Sequence, residues 1–331
     1  MIRSYTFSTE GRLDGRDIEP FLMPTILADT KLFLWVDLDD PTPDEIRMVL
    51  RNVFKFHPLS IEDCTNEGSA PKVEEYIPKD EDLFAPYLFL VIHAVDYSRE
   101  DGVFATSGLN FFLGRKFLVT YHTKDLASIR EAADVCERKK SIARAPDRVA
   151  HVLLDALVGN YRPALEELAM EISEIEDQVL ERAPKSVLNK IIQVKKEVFH
   201  LRQIIDPQRQ VLSRLARGEF KLIRPKMVPY FRDVYDGLLR ISERAQTYTD
   251  SLTGILQVYL NLSSNQTGEV VKLLTMITLI TTPMMMIGTW YGMNFHNMPE
   301  LDARWGYLSA VVLTALSTGT TYWYFKRKKW L

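Results

Sequence analysis

The sequence lacks the residue spacings of the common catalytic and metal-binding motifs. Its two cysteines, Cys64 and Cys136, are too few for a disulfide framework and suit a reducing compartment. The six histidines form no His-x-x-x-His pair, and the chain has no phosphate-binding glycine loop or nucleophile elbow. A net charge of −3 gives no overall bias toward nucleic acid. The sequence therefore predicts neither an enzyme nor a nucleic-acid-binding protein.

Two long uncharged runs lie near the carboxyl terminus, at 273–295 and 306–325. As helices they would be roughly 35 and 30 Å long, enough to cross a hydrocarbon core about 30 Å thick. We therefore predict transmembrane helices at 270–291 and 306–325, joined by an extracytoplasmic loop at 292–305. A buried hairpin in a soluble core is the alternative.

The charge distribution predicts the orientation of these helices. The tail 326–331 begins with four consecutive basic residues, whereas the intervening loop has one arginine and two acids, which favours a cytoplasmic carboxyl terminus. The amino terminus has no apolar signal segment, so we expect it in the cytoplasm as well. The predicted location is the cytoplasmic membrane, crossed twice, with membrane lipid around the helices.

The first 146 residues mix strand and helix signals. Apolar runs predict strands at 31–38, 87–97, 108–113 and 117–121, the last two forming a hairpin across Gly114 and Arg115. The sequence Thr42, Pro43, Asp44, Glu45 is typical of a capped helix start, with the helix continuing to about Phe54. Residues 1–146 are therefore predicted to form a cytoplasmic α/β domain.

Helical patterns dominate the rest of the chain. Segments 147–183 and 185–218 predict a cytoplasmic helical hairpin within 147–228. No proline occurs between Pro229 and Pro283, so one helix from Tyr230 to Trp290, about 90 Å long, could form a stalk at 229–269 and continue into the membrane. The fold class is thus an α+β membrane protein. A helix this long needs neighbouring copies to cover its surface.

Small and hydroxyl-bearing residues follow one face of the first predicted span. Their spacing alternates between three and four residues, as one helical face requires. This face, here called the pore stripe, comprises Gly268, Val271, Thr275, Thr278, Thr282, Met285, Thr289 and Gly292. Such residues permit close helix packing or line an aqueous path. Two helices per chain cannot enclose a pore, so an aqueous path would require an oligomer.

The end of the first span resembles a known family. The triplet Gly292, Met293, Asn294 is similar to the Gly-Met-Asn signature of the CorA family of magnesium and cobalt transporters. The resemblance extends through 298–301, 230–236, 258–260 and 328–331. It implies a homopentameric funnel in which five stalk helices continue as pore-lining helices and conduct Mg²⁺ and Co²⁺ inward.

The resemblance also implies roles for particular residues. Gly292, Met293 and Asn294 would form the selectivity filter, with five Asn294 carbonyls around a hydrated cation. Glu300 and Asp302 would attract cations outside. In the family, intracellular Mg²⁺ bound between cytoplasmic domains holds the closed state. The resemblance therefore implies that Mg²⁺ is also a regulatory ligand here and that Asp233 belongs to its binding site. Asp96 is a guess for the partner of Asp233.

This chain also departs from the family pattern. Gly268 stands where members carry an asparagine at the stalk end of the pore, and Thr282 replaces a methionine constriction. We therefore expect Met285, Leu274 and Val271 to share the hydrophobic gate.

Two other functions stay open at this point. One is a zinc or nickel transporter of the same family, for which proton coupling instead of channel conduction is an open question. The other is a membrane-anchored scaffold or sensor that transports nothing.

Overall fold

The computed structural model describes residues 1–66, 68–79, 83–100, 103–139, 142–181, 184–293, 299, 304–328 and 330, covering only the backbone within 96–100 and 103–105. The strands are β1 (Ile2–Ser8), β2 (Leu13–Arg16), β3 (Leu32–Asp39), β4 (Lys72–Tyr76), β5 (Tyr87–Glu100), β6 (Val103–Gly114) and β7 (Phe117–His122). The helices are α1 (Met23–Ala28), α2 (Pro43–Ile46), α3 (Pro58–Thr65), α4 (Ala127–Arg138), α5 (Pro146–Gly159), α6 (Tyr161–Glu181), α7 (Lys185–Ala216), α8 (Val228–Tyr291) and α9 (Gly306–Arg327).

Within the described residues, seven strands form one sheet in the order β2-β1-β3-β7-β6-β5-β4. Strands β3 and β7 are parallel, and the other neighbouring pairs are antiparallel. The four predicted strands are confirmed as β3, β5, β6 and β7, and the predicted hairpin is β6–β7. Strands β5 and β6 are longer than the apolar runs that predicted them.

Successive side chains of a strand point to opposite faces of the sheet. Consecutive side chains of the central strands are buried, so both faces of these strands are covered. Leu34, Val36 and Leu38 of β3 pack into one core cluster with α1, α3 and the segment after α2. In that cluster the rings of Phe56 and Phe112 stack with centroids 4.3 Å apart. Helices α5 and α7 also pack on the sheet. Strands buried on both faces have the continuous apolar sequences seen here.

A polar network lies between the parallel strands β3 and β7, on the face of the sheet opposite this cluster. Trp35 Nε1 donates to Thr120 Oγ1 at 3.1 Å, and Thr120 Oγ1 donates to Asp37 Oδ1 at 2.6 Å. His122 Nε2 lies 3.3 Å from Asp37, and His122 Nδ1 lies 2.7 Å from the carbonyl oxygen of Lys124. Both ring nitrogens therefore face acceptors, as a protonated imidazole requires.

This network predicts a stability that falls with rising pH. Burial alone would lower the pKa of His122, but the hydrogen bond and negative charge of Asp37 raise it above its ordinary value. A raised folded-state pKa stabilises the fold fully below about pH 6.5, and the contribution is lost as pH rises through the folded-state value. We expect the thermal midpoint of the detergent-solubilised protein to fall as the pH rises above about 6.5 and through the raised pKa of His122.

The His122→Gln variant should lose much of this pH dependence, whereas His200→Gln, at a partly exposed position of α7, should keep it. An unchanged pH profile in His122→Gln would contradict the assignment.

Local sequence signals explain most helix boundaries. Thr42 and Glu45 form the predicted capping box at α2, although the chain continues as a π-helix over Arg47–Val53. One helix was predicted from Asp147, but the structure has two, α5 and α6. Pro163 favours the break, because proline lacks an N–H and its ring clashes with the carbonyl four residues earlier, whereas it is tolerated in the first turn of a helix. Proline is not sufficient by itself, since α7 and α8 continue through Pro207 and Pro283.

Helix α8 is continuous over 64 residues, close to the predicted range of Tyr230 to Trp290. The chain divides into two compact units, Met1–Ile255 and Leu256–Leu331, and α8 runs from the first into the second. The proposed domain bounds at 146, 228 and 269 are a finer division of the chain and remain predictions.

Candidate functional site

The first part of α8 is a helix packed along one side. Phe231, Val234, Leu238, Ile241 and Ala245 recur every three or four residues and are all buried. This spacing defines a single apolar stripe that fixes the helix in the first compact unit.

The second part of α8 has the length and composition of a membrane span. Among the described helices, the stretch Pro225–Tyr291 is the one long and apolar enough to cross a membrane. Its large apolar side chains are uncovered in the single chain, with Val271, Leu274 and Met285 exposed by 56%, 64% and 65%. Exposed apolar surface of this kind is stable in lipid or against other protein chains. Helix α9 also forms, over Gly306–Arg327, and its passage through a membrane remains a prediction.

The threonines of the pore stripe satisfy their own hydroxyl protons. Each donates to the backbone carbonyl four residues earlier, at 2.8 Å for Thr275, 2.9 Å for Thr278, 2.7 Å for Thr282 and 2.6 Å for Thr289. A threonine bonded in this way has no unpaired donor, while its oxygen can still accept a hydrogen bond. The stripe can therefore face water or a neighbouring helix without leaving a buried donor unsatisfied. Gly268 is exposed at its stalk end.

The signature begins where α8 ends. The amide of Gly292 donates to the carbonyl of Gly288 at 3.0 Å, and the amide of Met293 lies 3.4 Å from the carbonyl of Trp290. A β-carbon at Gly292 would lie 3.0 Å from the oxygen of Gly288, a tight contact that explains the glycine. Asn294, Glu300 and Asp302 lie outside the described residues.

Asp233 lines a cavity of about 500 Å³ between α5, α6 and α8. Its charged lining residues are three carboxylates and three guanidinium groups, from Asp155, Glu166, Asp233, Arg162, Arg240 and Arg244. No ion pair joins these six within the part of the chain that the structure describes. We call this space the carboxylate cavity. Its acids are oxygen ligands of the kind that Mg²⁺ prefers.

The carboxylate cavity was not apparent from the sequence. Asp96, the guessed partner of Asp233, lies in β5, where the structure describes its backbone only. The structure brings Asp155 to the cavity that Asp233 lines, and the role of Asp96 stays a prediction. A signal was available, because Asp155 and His151 are polar residues one turn apart on a helix with many buried positions.

His151 adds an aromatic border near Asp233. Its ring meets Tyr230 and Phe231 edge-on, with centroid distances of 5.5 and 6.0 Å. Burial lowers the pKa of His151, and Arg148 acts in the same direction, whereas Asp155 and Asp233 raise it. The negative charges of both carboxylates therefore stabilise the protonated form of His151. Among the described residues, no group of three or more histidine, cysteine or acidic side chains is arranged to hold a metal.

Comparisons with known proteins cover most of the chain. Residues 30–327 match the family described as CorA-like Mg²⁺ transporter protein. A cobalt/magnesium transport protein CorA of Thermotoga maritima is 33% identical over 332 residues, covering 100% of this chain and 92% of that protein. A protein of the same name from Methanocaldococcus jannaschii is 25% identical, covering 96% and 97%. The complete structure of the CorA magnesium transporter from that organism matches with a TM-score of 0.81 at 22% identity, over 100% and 99% of the two chains, and shows the same fold.

Proposed function

The chain belongs to the CorA-like Mg²⁺ transporter family, as the signature predicted, and we propose that it conducts Mg²⁺ and Co²⁺ into the cell through a pore lined by α8. The observation that carries this mechanism is the continuity of α8, which ends at Tyr291, directly before Gly292 and Met293. One helix thus connects the unit that contains Asp233 to the proposed filter. In this proposal α8 carries the response to Mg²⁺ from the cytoplasmic unit to the pore.

The exposed second part of α8 supports a homo-oligomer, which we propose to be a pentamer. Its stripe of small and hydroxyl-bearing residues allows close approach around an axis, while its bulkier residues would face neighbouring helices or lipid. Closed rings are the common outcome when identical subunits associate head to tail with a closing rotation. Helix α9 would then form an outer ring, with both termini in the cytoplasm.

Asn294 would supply a ring of neutral carbonyl oxygens at the entrance. Mg²⁺ dehydrates reluctantly and keeps several of its waters, so neutral oxygens can bind the hydrated ion without holding it too tightly for release. Glu300 and Asp302, repeated around the ring, would raise the local cation concentration outside. Gly292 and Met293 would shape the entrance.

The hydrophobic gate is assigned to Met285, Leu274 and Val271. Met285→Ala and Leu274→Ala should each increase Mg²⁺ flux under conditions of high internal Mg²⁺, because a smaller side chain widens a dry constriction. Flux into liposomes that contain the purified protein measures this effect. Met284→Ala is the matched control for Met285→Ala, since Met284 is equally exposed at 65% but is turned by about 100° around the helix from Met285. Unchanged flux and inhibition in both gate variants would contradict the assignment.

Intracellular Mg²⁺ would regulate the pore at the carboxylate cavity. The described residues of one chain do not form a complete metal site, so carboxylates of a neighbouring subunit would complete it. Bound Mg²⁺ would bridge like-charged acids and hold the closed pentamer. When internal Mg²⁺ falls, the acids of neighbouring subunits lose this bridge and the population shifts toward open states.

Ion flux into liposomes tests the proposal against its alternatives. The proposal predicts Mg²⁺ and Co²⁺ entry that falls as internal Mg²⁺ rises. Zn²⁺ or Ni²⁺ entry without Mg²⁺ flux would favour the zinc or nickel alternative, and dependence on a proton gradient would exclude simple channel conduction. A protein that carries no cation under any of these conditions would fit the scaffold.

A further inference from the structure

A second cavity, of about 340 Å³, lies in the first compact unit at the opposite end of β7 from the Asp37–His122 network. Its basic side chains come from three segments that are distant in sequence. They are the β6–β7 turn with Arg115 and Lys116, the residues just before α5 with Arg144, and the connection between α7 and α8 with Lys221 and Arg224. The volume lies within the range of about 300–1,000 Å³ typical of small-molecule sites. We call this space the basic cavity.

The charged lining of the basic cavity is strongly unbalanced. It has five basic side chains and one carboxylate, Asp147. Asp147 is buried and already neutralised, because the Arg224 guanidinium donates to both of its oxygens, at 2.8 Å from Nε in one case, and the Arg224 amide donates at 3.2 Å. The remaining cations therefore face the cavity without a compensating acid in its lining.

These remaining cations are available to a ligand. Arg115, Arg144 and Lys221 are exposed and form no ion pair within the part of the chain that the structure describes. Lys116 donates to the backbone carbonyls of Leu27 and Asp29, at 3.1 and 3.2 Å. Neutral carbonyls hold its ammonium group in place and leave its charge uncompensated.

From this arrangement we propose that the basic cavity binds a chain of linked phosphates, either an inorganic polyphosphate or the phosphates of a nucleotide. Arginine forks bind phosphate oxygens bidentately, and lysine adds a point charge. Several cations around one cavity match several linked phosphates better than a single one. Thr9 and Thr30 also line the cavity and supply neutral hydroxyl donors.

The same charge balance favours the metal-free form of such a ligand. Mg²⁺ removes two negative charges from a polyphosphate and occupies oxygens that the guanidinium groups need. The cavity should therefore bind metal-free polyphosphate more tightly than its Mg²⁺ complex. Its occupancy would then report the concentration of polyphosphate that has no bound Mg²⁺. This inference goes beyond the proposed transport function, because it concerns a second ligand at a site distant in sequence from the pore.

The ligand would contact the segment that leads into α8. Lys221 and Arg224 lie in the connection just before Val228, and Glu219 at its start is held by Arg214 and Arg217 at 2.9 Å each. A polyphosphate bound to Arg115 and Lys221 together would tie the β6–β7 turn to this connection.

Isothermal titration calorimetry on the purified full-length protein in detergent tests the proposal. The probes are sodium tripolyphosphate, ATP and inorganic phosphate, each with and without saturating Mg²⁺. We expect metal-free tripolyphosphate and ATP to bind at least about tenfold more tightly than phosphate or the Mg²⁺ complexes. Similar affinities for tripolyphosphate and ATP indicate recognition of phosphates alone, and tighter ATP binding identifies the nucleotide as the source.

Variants then locate the binding. Arg115→Ala and Lys221→Ala should each weaken binding about tenfold, whereas Lys221→Arg should retain it. Lys196→Ala is the matched control, because it removes an exposed cation of α7 outside the cavity. All of these positions are exposed, so folding should be preserved, and size-exclusion chromatography checks it. No binding to the wild-type protein, equal binding by the cavity variants, or preference for the Mg²⁺ complexes would overturn the proposal. The assay measures binding, so its result is independent of whether the protein transports Mg²⁺.

Discussion

Replacement of Asn294 by alanine should abolish Mg²⁺ uptake into liposomes, with residual flux below about 1% of the wild-type rate. In the proposed pentamer the substitution removes all five carbonyl oxygens at once, and the other filter residues, Gly292 and Met293, offer hydrated Mg²⁺ no side-chain oxygen. Loss of this ring should raise the barrier to entry by at least about 2.7 kcal/mol, which corresponds to a hundredfold change in rate.

Two comparisons make this result specific. Asn297→Ala removes the same amide from the same loop and should retain most of the flux. Asn294→Asp should bind divalent cations more tightly and conduct more slowly, because a ring of carboxylates hinders release. Wild-type flux in Asn294→Ala would exclude the filter and favour the scaffold function.

The second large effect is expected at the carboxylate cavity. Asp233→Asn and Asp155→Asn should each raise the internal Mg²⁺ concentration needed for half-inhibition by about tenfold, equal to a loss of roughly 1.4 kcal/mol of binding free energy. The amide keeps the size of the side chain but cannot provide the charge that a bound cation requires. Maximum flux at low internal Mg²⁺ should remain, since neither residue lies on the pore stripe.

Asp236→Asn is the matched control for this pair. Asp236 lies on the same helix, three residues beyond Asp233, and is not among the lining residues of the cavity. Titration of internal Mg²⁺ in proteoliposomes should give the wild-type inhibition curve for this variant. If all three variants behaved alike, Mg²⁺ sensing would have to be assigned elsewhere.

The long helix was predictable because its signals are local. The absence of proline before Pro283 and the uncharged run from Leu273 act through neighbouring residues on one helix. The Thr42–Glu45 cap is local in the same sense. Pro163 favours a break between α5 and α6, but proline alone does not fix a break, because α7 and α8 continue through Pro207 and Pro283.

The sequence pattern alone could not predict that Asp155 and Asp233 line the same cavity. The two acids are on separate helices, and only the packing of α5, α6 and α8 brings them to one cavity. The same applies to the pairing of Asp37 with His122, which depends on the parallel alignment of β3 and β7. The guess of Asp96 as a partner had no such geometry behind it.

The sequence by itself determined the family, the division of the chain into a charged α/β part and an apolar helical part, and the pore stripe along its longest helix. These features depend on local propensity, hydropathy and a short signature, which a single chain segment contains in full. The tertiary structure alone decided which distant charges share a cavity, at Asp155 and Asp233 and again at Arg115, Arg144 and Lys221. The physical reason is that cavities form where separate elements pack together, and their lining combines side chains that no local pattern relates.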